Sequence, residues 1–484
     1  VLHITCLSLG EISLSNWDIR NLSLTEAARA IRERAISSVE ATRACLEALE
    51  QKGPAYLAIA GLDAERALDV AETCDAELQR RHLRGPLHGV PMAHKDMFYR
   101  VGRVCACGTR IRKGWVANTT ATALARLDRA GAVDMGRLNM VEWALGLTGH
   151  NAITGTPRNP YNLDHITGGS SSGPVAAVSA RLSYGSLGSD TGGSIRFPAG
   201  CTSLVGLKPT YGRVSRYGAM PLSFSLDHIG PLTRTVEDAA LMLQAIAGRD
   251  ADDPTTSLRE VPNYLDSLGE GIRGLRVAVP RRHEVEIDPE VQQLLDDSVA
   301  TIRALGADIV PIDLPSMEHI NHWRRLVMMA EAAAIHRNSL ATRRDDFNPT
   351  TLARMEPGLS ITAIDYLEGL RRRGPALEAF TDAVFAKADL LHLPVMAVPV
   401  PRIDESDIGS RPDWVEFINR LGWFMGPVNY LGLPAISLPM GFTANGLPNA
   451  MQLVGRSFDE PTILRAGFAY ERETGFPRHA PSPV

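Results

Sequence analysis

The sequence predicts an α/β fold: a single large domain built on a large mixed, mostly parallel sheet flanked by helices. Three observations carry this. A short apolar strand, a helix and a second strand follow one another between Leu275 and Ile312. Strand-like apolar pieces return at Leu393 to Val400 and at Ala435 to Met440, beyond a long helical stretch. No low-complexity linker and no repeat of fixed period divides the 484 residues. Length alone allows one large domain or several, and without a linker one is expected.

The strand-helix-strand unit is explicit. Leu275 to Val279 is the first strand, and Asp288 and Pro289 stand where an N-cap and a first-turn residue belong. Val291, Leu294, Leu295, Val299, Ile302 and Leu305 then recur at helical spacing, Gly306 stops the helix, and Asp308 to Ile312 forms the next strand. That order implies a parallel or mixed sheet with helices against it. Upstream, Ser23 with Glu26 and Ser37 with Glu40 have the capping-box spacing, in which two side chains satisfy backbone N–H groups at a helix start. Helical patterning continues to about residue 80. Residues 1–80 therefore read as an N-terminal helical region and 81–484 as the α/β core, with the helical, more charged residues 313–388 as a peripheral layer. A helix between Asn118 and Ala130, stopped by Gly131, leads into a strand from Ala132 to Met135.

Composition narrows the class. A chain with 44% hydrophobic and 22% charged residues is ordinary for a soluble globular protein. Net charge is only −5, and the densest basic cluster, Arg371 to Arg373, reads as a solvated face, so no nucleic-acid partner is expected. Cys6, Cys45, Cys74, Cys105, Cys107 and Cys201 include no C-x-x-C pair, and Cys105-x-Cys107 has no second pair to complete a zinc site. Reduced, buried thiols in a reducing, cytoplasmic setting are the expectation. The start, VLHITCLSLG, has no basic residue ahead of its apolar part and no small-residue cleavage pattern. Residues 421–455 carry no charge, but Pro427, Pro434 and Pro439 interrupt them, so a buried segment is expected rather than a membrane helix.

Chemistry concentrates between His165 and Phe197, where Arg181, Asp190 and Arg196 are the only formal charges among many glycines and serines. Such small residues let a backbone approach a ligand closely and aim several N–H groups at one point. Val175, Ala176, Ala177, Val178 and Leu182 are interleaved at helical density, which a flexible linker would not need. Thr191-Gly192-Gly193-Ser194 reads as a tight turn with a hydroxyl at its end. Its N–H groups could hold the oxygen that becomes negative when a carbonyl is attacked. Serine is a weak nucleophile and needs a base, yet none of the 13 histidines sits in a motif that brings it to Ser194. Lys95, after the short apolar run of GPLHGVPMAHKDMF and beside Asp96, is the other candidate. Burial can strip its proton by penalising the charged form. Lowering its pKa from about 10.4 to about 7 costs on the order of 4 to 5 kcal/mol, which requires a preorganised site.

The lysine after Gly-Val-Pro, the Gly168-Gly169-Ser170-Ser171 cluster and Gly192-Gly193-Ser194-Ile195-Arg196-Phe197-Pro198 together resemble the amidase signature family. The resemblance runs from about residue 23 to the C-terminus and is strongest at Gly85 to Phe98 and Gly168 to Gly248. It implies a serine amide hydrolase. Ser194 matches the nucleophile, Ser170 a bridging serine on a cis peptide bond, and Lys95 the base that receives the proton through Ser170. Backbone N–H groups of Thr191, Gly192, Gly193 and Ser194 match the oxyanion hole. Asp190 and Arg196 match bracing residues, and Ser171 matches a serine that orients the lysine. Ser172 stands where glycine is more usual. The implied reaction cleaves a carboxylic or ureido amide through an acyl-enzyme, with no metal, no organic cofactor and no membrane partner. A small-molecule amide is the expected substrate, and a homodimer is a family-level expectation.

Two other readings keep part of this pattern. Gly169-x-Ser171-x-Gly173 fits the nucleophile elbow of α/β-hydrolases, with a later histidine as base. Ser225 to Ser257 resembles the glutaminase subunit of tRNA-dependent amidotransferases, whereas residues 325–390 look like stand-alone amidases. Trp143, Trp323, Trp423 and the segment from Asp313 to Leu370 are candidates for the specificity pocket. Arg324 or Arg325 either pairs with an anionic substrate or lies on the surface.

Overall fold

The computed structural model describes residues 18–481; Cys6 and the N-terminal decapeptide lie outside the described residues. The largest sheet has eight strands. In spatial order they are Asp308–Ile312, Arg276–Pro280, Leu390–Pro394, Pro448–Val454, Ala435–Phe442, Val205–Lys208, His228–Thr233 and Gly185–Asp190. The expected βαβ unit forms its first edge, with the helix Pro289–Ala304 joining two parallel strands. A large mixed sheet flanked by helices is thus present, but it is not mostly parallel. Of its seven neighbouring pairs, two are parallel and five antiparallel. The physical reason is visible at Ala435–Phe442 and Pro448–Val454. A short connection through Asn445 and Gly446 (φ +75°) can join only antiparallel strands.

A second, three-stranded sheet is made of Ile59–Leu62, Val133–Leu138 and Pro91–Lys95. The strand Ile59–Leu62 interrupts the helical pattern expected up to residue 80. Its antiparallel pairing with Val133–Leu138 explains why: the neighbour strand supplies a ladder that local propensity does not encode. The two sheets meet where Pro91–Lys95 lies beside Gly185–Asp190. There the Ala93 N–H donates to Ser183 Oγ at 3.1 Å and the Leu187 N–H to His94 Nδ1 at 3.1 Å. Side chains replace the backbone ladder across this seam, and the seam fixes Lys95 against the strand that leads to Ser194.

Both N-terminal capping boxes form: the Ser23 and Ser37 hydroxyls accept from the N–H groups of Glu26 and Glu40, whose side chains reach back. The strand expected at Leu393 to Val400 sits earlier, at Leu390–Pro394. Pro399 and Pro401 lack the N–H groups a strand there would need. The charge-free residues 421–455 fold into the buried helix Gly426–Leu431 and the two central strands that follow it. No helix among the described residues is long and apolar enough to cross a membrane. Residues 313–388 carry the helices Met317–Ile335, Pro349–Met355, Ala363–Arg371 and Arg373–Phe380, of which the first two reach the cavity before Ser194.

Candidate active site

Lys95 ends its strand fully enclosed, at 1% exposure. Its Nζ donates to Ser170 Oγ at 2.8 Å and to Ser189 Oγ at 2.9 Å. Burial lowers its pKa to about 7, against a partial upward pull from Asp190 and Asp227. The group is therefore poised to exchange a proton near neutral pH. Asp96, its neighbour in sequence, does not pair with it. That carboxylate lies 3.5 Å from Arg137 and accepts from the Ala106 N–H, and burial raises its pKa to about 6.

Ser170 lies in the turn between the strand Asn162–Ile166 and the helix Ser172–Ser179, and the Gly169–Ser170 peptide bond is cis. Small residues are required here. A methyl group on Gly169 would lie 3.0 Å from the Gly149 nitrogen, and one on Gly173 would lie 2.5 Å from both the nitrogen and the carbonyl oxygen of Asn139. Among the described residues Ser171 makes no hydrogen bond to Lys95. Its hydroxyl donates to the Ser194 carbonyl at 2.6 Å, so it holds the turn of Ser194, and the second hydroxyl on the lysine is Ser189 instead. Packing decides this, because Ser189 lies on the strand packed beside that of Lys95 whereas Ser171 caps the start of a helix.

Ser194 sits between the strand Gly185–Asp190 and the short helix Arg196–Cys201. Among the described residues its hydroxyl makes no hydrogen bond; it lines a cavity with Thr191, Gly192, Leu145, Leu222 and Met328. Hydrogen bonds between catalytic groups commonly tighten only when substrate is bound. The loop before it is fixed from below. Both oxygens of Asp190 are engaged, accepting from the Gly193 N–H at 2.7 Å and from Arg196 Nε and Nη2 at 3.0 and 3.1 Å. The Arg196 guanidinium also donates to Gln452 Oε1, Asn429 Oδ1 and the Met425 carbonyl. Burial alone would raise the Asp190 pKa, yet Arg196 beside it holds the carboxyl far below the usual range. The Gly193 N–H, expected to face an oxyanion, is thus committed to Asp190. Among the described residues the N–H groups of Thr191, Gly192 and Ser194 carry no such commitment. The Thr191 hydroxyl donates to Asp227 Oδ1 at 2.6 Å, which steadies the loop's other end.

The structure brings together Lys95, Ser170, Ser189, Asp190, Thr191 to Ser194 and Arg196. It also supplies Asp227, Asn429 and Gln452, which no sequence motif singles out. Asn429 and Gln452 had a signal: they are isolated amides in a charge-free apolar stretch, and a buried amide needs partners. No histidine hydrogen-bonds Ser171 or Ser194 among the described residues, so the elbow reading lacks its base. The tryptophans do not line the cavity, although the expected segment does. Asn321, Arg324 and Met328 share one face of Met317–Ile335, and Arg354 comes from Pro349–Met355. Trp143 packs at a tilt against His336 instead.

A family model described as Amidase matches residues 40–464. The chain belongs to the amidase signature family. Amide hydrolysis is the activity that membership in this family carries. Two curated relatives match over nearly the whole length. A glutamyl-tRNA(Gln) amidotransferase subunit of Geobacter metallireducens is 38% identical over 95% of this chain and 98% of its own. AmiD of Mycobacterium bovis, a protein named as an amidase, is 37% identical over 96% of each. Among solved structures, an inhibitor-bound complex concerned with the origins of an s-triazine catabolic enzyme superposes with a TM-score of 0.87. It is 31% identical and covers 94% of this chain and 99% of that one. Other amidase signature enzymes share the architecture, including a bacterial aryl acylamidase.

Proposed function

We propose that the protein is a stand-alone amidase that cleaves a small linear amide with Ser194 as nucleophile, Ser170 as proton bridge and Lys95 as base. Neutral Lys95 takes the Ser170 proton as Ser170 takes that of Ser194. The Ser194 oxygen then bonds to the amide carbonyl carbon, and the carbonyl oxygen becomes negative before the N–H groups of Thr191, Gly192 and Ser194. The C–N bond breaks as a proton returns along the same chain to the leaving nitrogen, which departs as ammonia or an amine. Water, deprotonated by the same relay, releases the acid. Asp190, Arg196 and Ser171 hold the loop and touch no reacting atom.

The observation that carries this reading is the 2.8 Å contact between a buried lysine and Ser170, one strand away from a cavity-facing serine. The test is amine or ammonia release from a panel of aliphatic, aryl and ureido amides by wild type and Ser194→Ala. Release by the wild type alone supports the assignment, and equal release by both removes it. A second reading, as a glutaminase working with partner chains, is favoured by the likeness to the glutamyl-tRNA(Gln) amidotransferase relative. Glutamine as the sole good substrate, together with co-purifying partners, would establish it.

A further inference from the structure

Charge in the cavity before Ser194 is of one sign. Arg324, Arg325 and Arg354 line it, with no aspartate, glutamate, lysine or histidine among its lining residues. Among the described residues Arg324 Nε is buried without a hydrogen-bond partner, and the one hydrogen bond of this guanidinium goes to the Met328 sulfur at 3.4 Å. Burial, then the neighbouring Arg325 and Arg354, pull its pKa down to about 9; burial alone pulls Arg354 to about 10. Both remain cations at neutral pH, and among the described residues no carboxylate lies near enough to lift either. Arg325 is partly balanced by Glu318 and also borders an outer groove with Glu416, so Arg324 and Arg354 carry the argument. Desolvated cations without a counter-charge are costly and rare. By contrast, the fully buried Arg196 is matched by Asp190.

Position adds a length. A methyl group on Gly192 would lie 2.9 Å from Arg324 Nη1, so the guanidinium rests on the loop whose N–H groups face the attacked carbonyl. An anion held there can be only a few bonds from the amide. A planar guanidinium fork matches a carboxylate.

We propose that the substrate is a short amide bearing a free carboxylate, a monoamide of a small dicarboxylic acid, with its carboxylate bound by Arg324 and Arg354. This rests on the amidase reading above and adds its substrate class. An α-amino acid amide such as glutamine also carries an ammonium group, which meets no acid in this cavity. Glutaramate, which has the same skeleton without the amino group, is the better substrate.

The experiment compares kcat/KM of the full chain for malonamate, succinamate and glutaramate with that for neutral 4-oxopentanamide and cationic β-alaninamide. Charge-assisted hydrogen bonds of this kind predict about 30- to 100-fold preference for the best monoamide over the neutral amide. Arg324→Gln and Arg354→Gln each shrink that ratio at least about tenfold, and Arg324→Lys shrinks it less. Dicarboxylates also raise the Tm of Ser194→Ala, whereas chloride at equal ionic strength does not. A wild-type ratio at or below one, or a ratio untouched by both glutamine variants, overturns the inference. Ser194-dependent cleavage of neutral amides without that preference removes the substrate class and leaves the amidase reading standing. Dicarboxylate binding without any amide cleavage removes the amidase reading and leaves the anion site. Neither binding nor cleavage overturns both.

Discussion

Lys95 Nζ lies 2.8 Å from Ser170 Oγ, with neither group open to solvent. Its pKa of about 7 in the folded chain stands against 10.5 for a free side chain. The pH dependence of kcat/KM should therefore rise through a limb near pH 7 as the lysine loses its proton, and Lys95→Met should lose at least about 100-fold in rate. A rate profile flat from pH 6 to 9 would contradict this.

The same shift makes a stability prediction of definite sign. Between pH 7 and 10.5 the unfolded chain holds a proton on this lysine that the folded chain has released, so stability rises with pH across that window. Below pH 7 the full desolvation cost, roughly 5 kcal/mol on this shift, is present. Lys95→Met should thus raise Tm at pH 6 by more than at pH 9, as read by calorimetry at the two values.

Ser189 is the second hydroxyl on Lys95, and its hydrogen bond favours the charged ammonium. Ser189→Ala should lower kcat/KM about tenfold and move the pH limb downward. Ser170→Ala should erase the relay and cost on the order of 10³-fold. Steady-state rates across pH distinguish the two: an unmoved limb in Ser189→Ala would show that this hydroxyl does not tune the lysine.

Asp190→Asn leaves the buried Arg196 without its counter-charge while keeping the side-chain shape. Breaking a buried pair from one side costs about 3 to 5 kcal/mol, and urea unfolding should show that loss. Because Arg196 holds the Asp190 pKa down, this contribution is present above the ordinary carboxylate range and fades only in strong acid.

Gly173→Ala places a methyl group 2.5 Å from the Asn139 backbone, which cannot move away as a flexible side chain would. A loss of about 1 to 3 kcal/mol is expected in chemical denaturation. An unchanged midpoint would mean that this helix does not press on the Asn139 turn.

The helices and the βαβ unit were readable because their signals are local: caps, an N-terminal proline and helical spacing lie within twenty residues of one another. Sheet order was not, since the pairing of Gly185–Asp190 with His228–Thr233, or of Leu390–Pro394 with Pro448–Val454, depends on contacts far apart in sequence. At the site, the resemblance to the amidase signature family pointed to Lys95, Ser170 and Ser194, and the structure sets Lys95 against Ser170. Their partners were harder. Ser171 and Ser189 are both serines in a serine-rich stretch, and only the strand beside Lys95 decides which one reaches it. Arg324 and Arg325 are adjacent in sequence; helical geometry places one over Gly192 and turns the other toward Glu318.

Covalent trapping tests the central assignment most directly. A fluorophosphonate probe, followed by peptide mass spectrometry across pH 5 to 9, should label Ser194 at a rate that climbs through pH 7 and collapses in Lys95→Met. Labelling of Ser171 or another side chain, or labelling of Ser194 that is indifferent to both pH and residue 95, would contradict it.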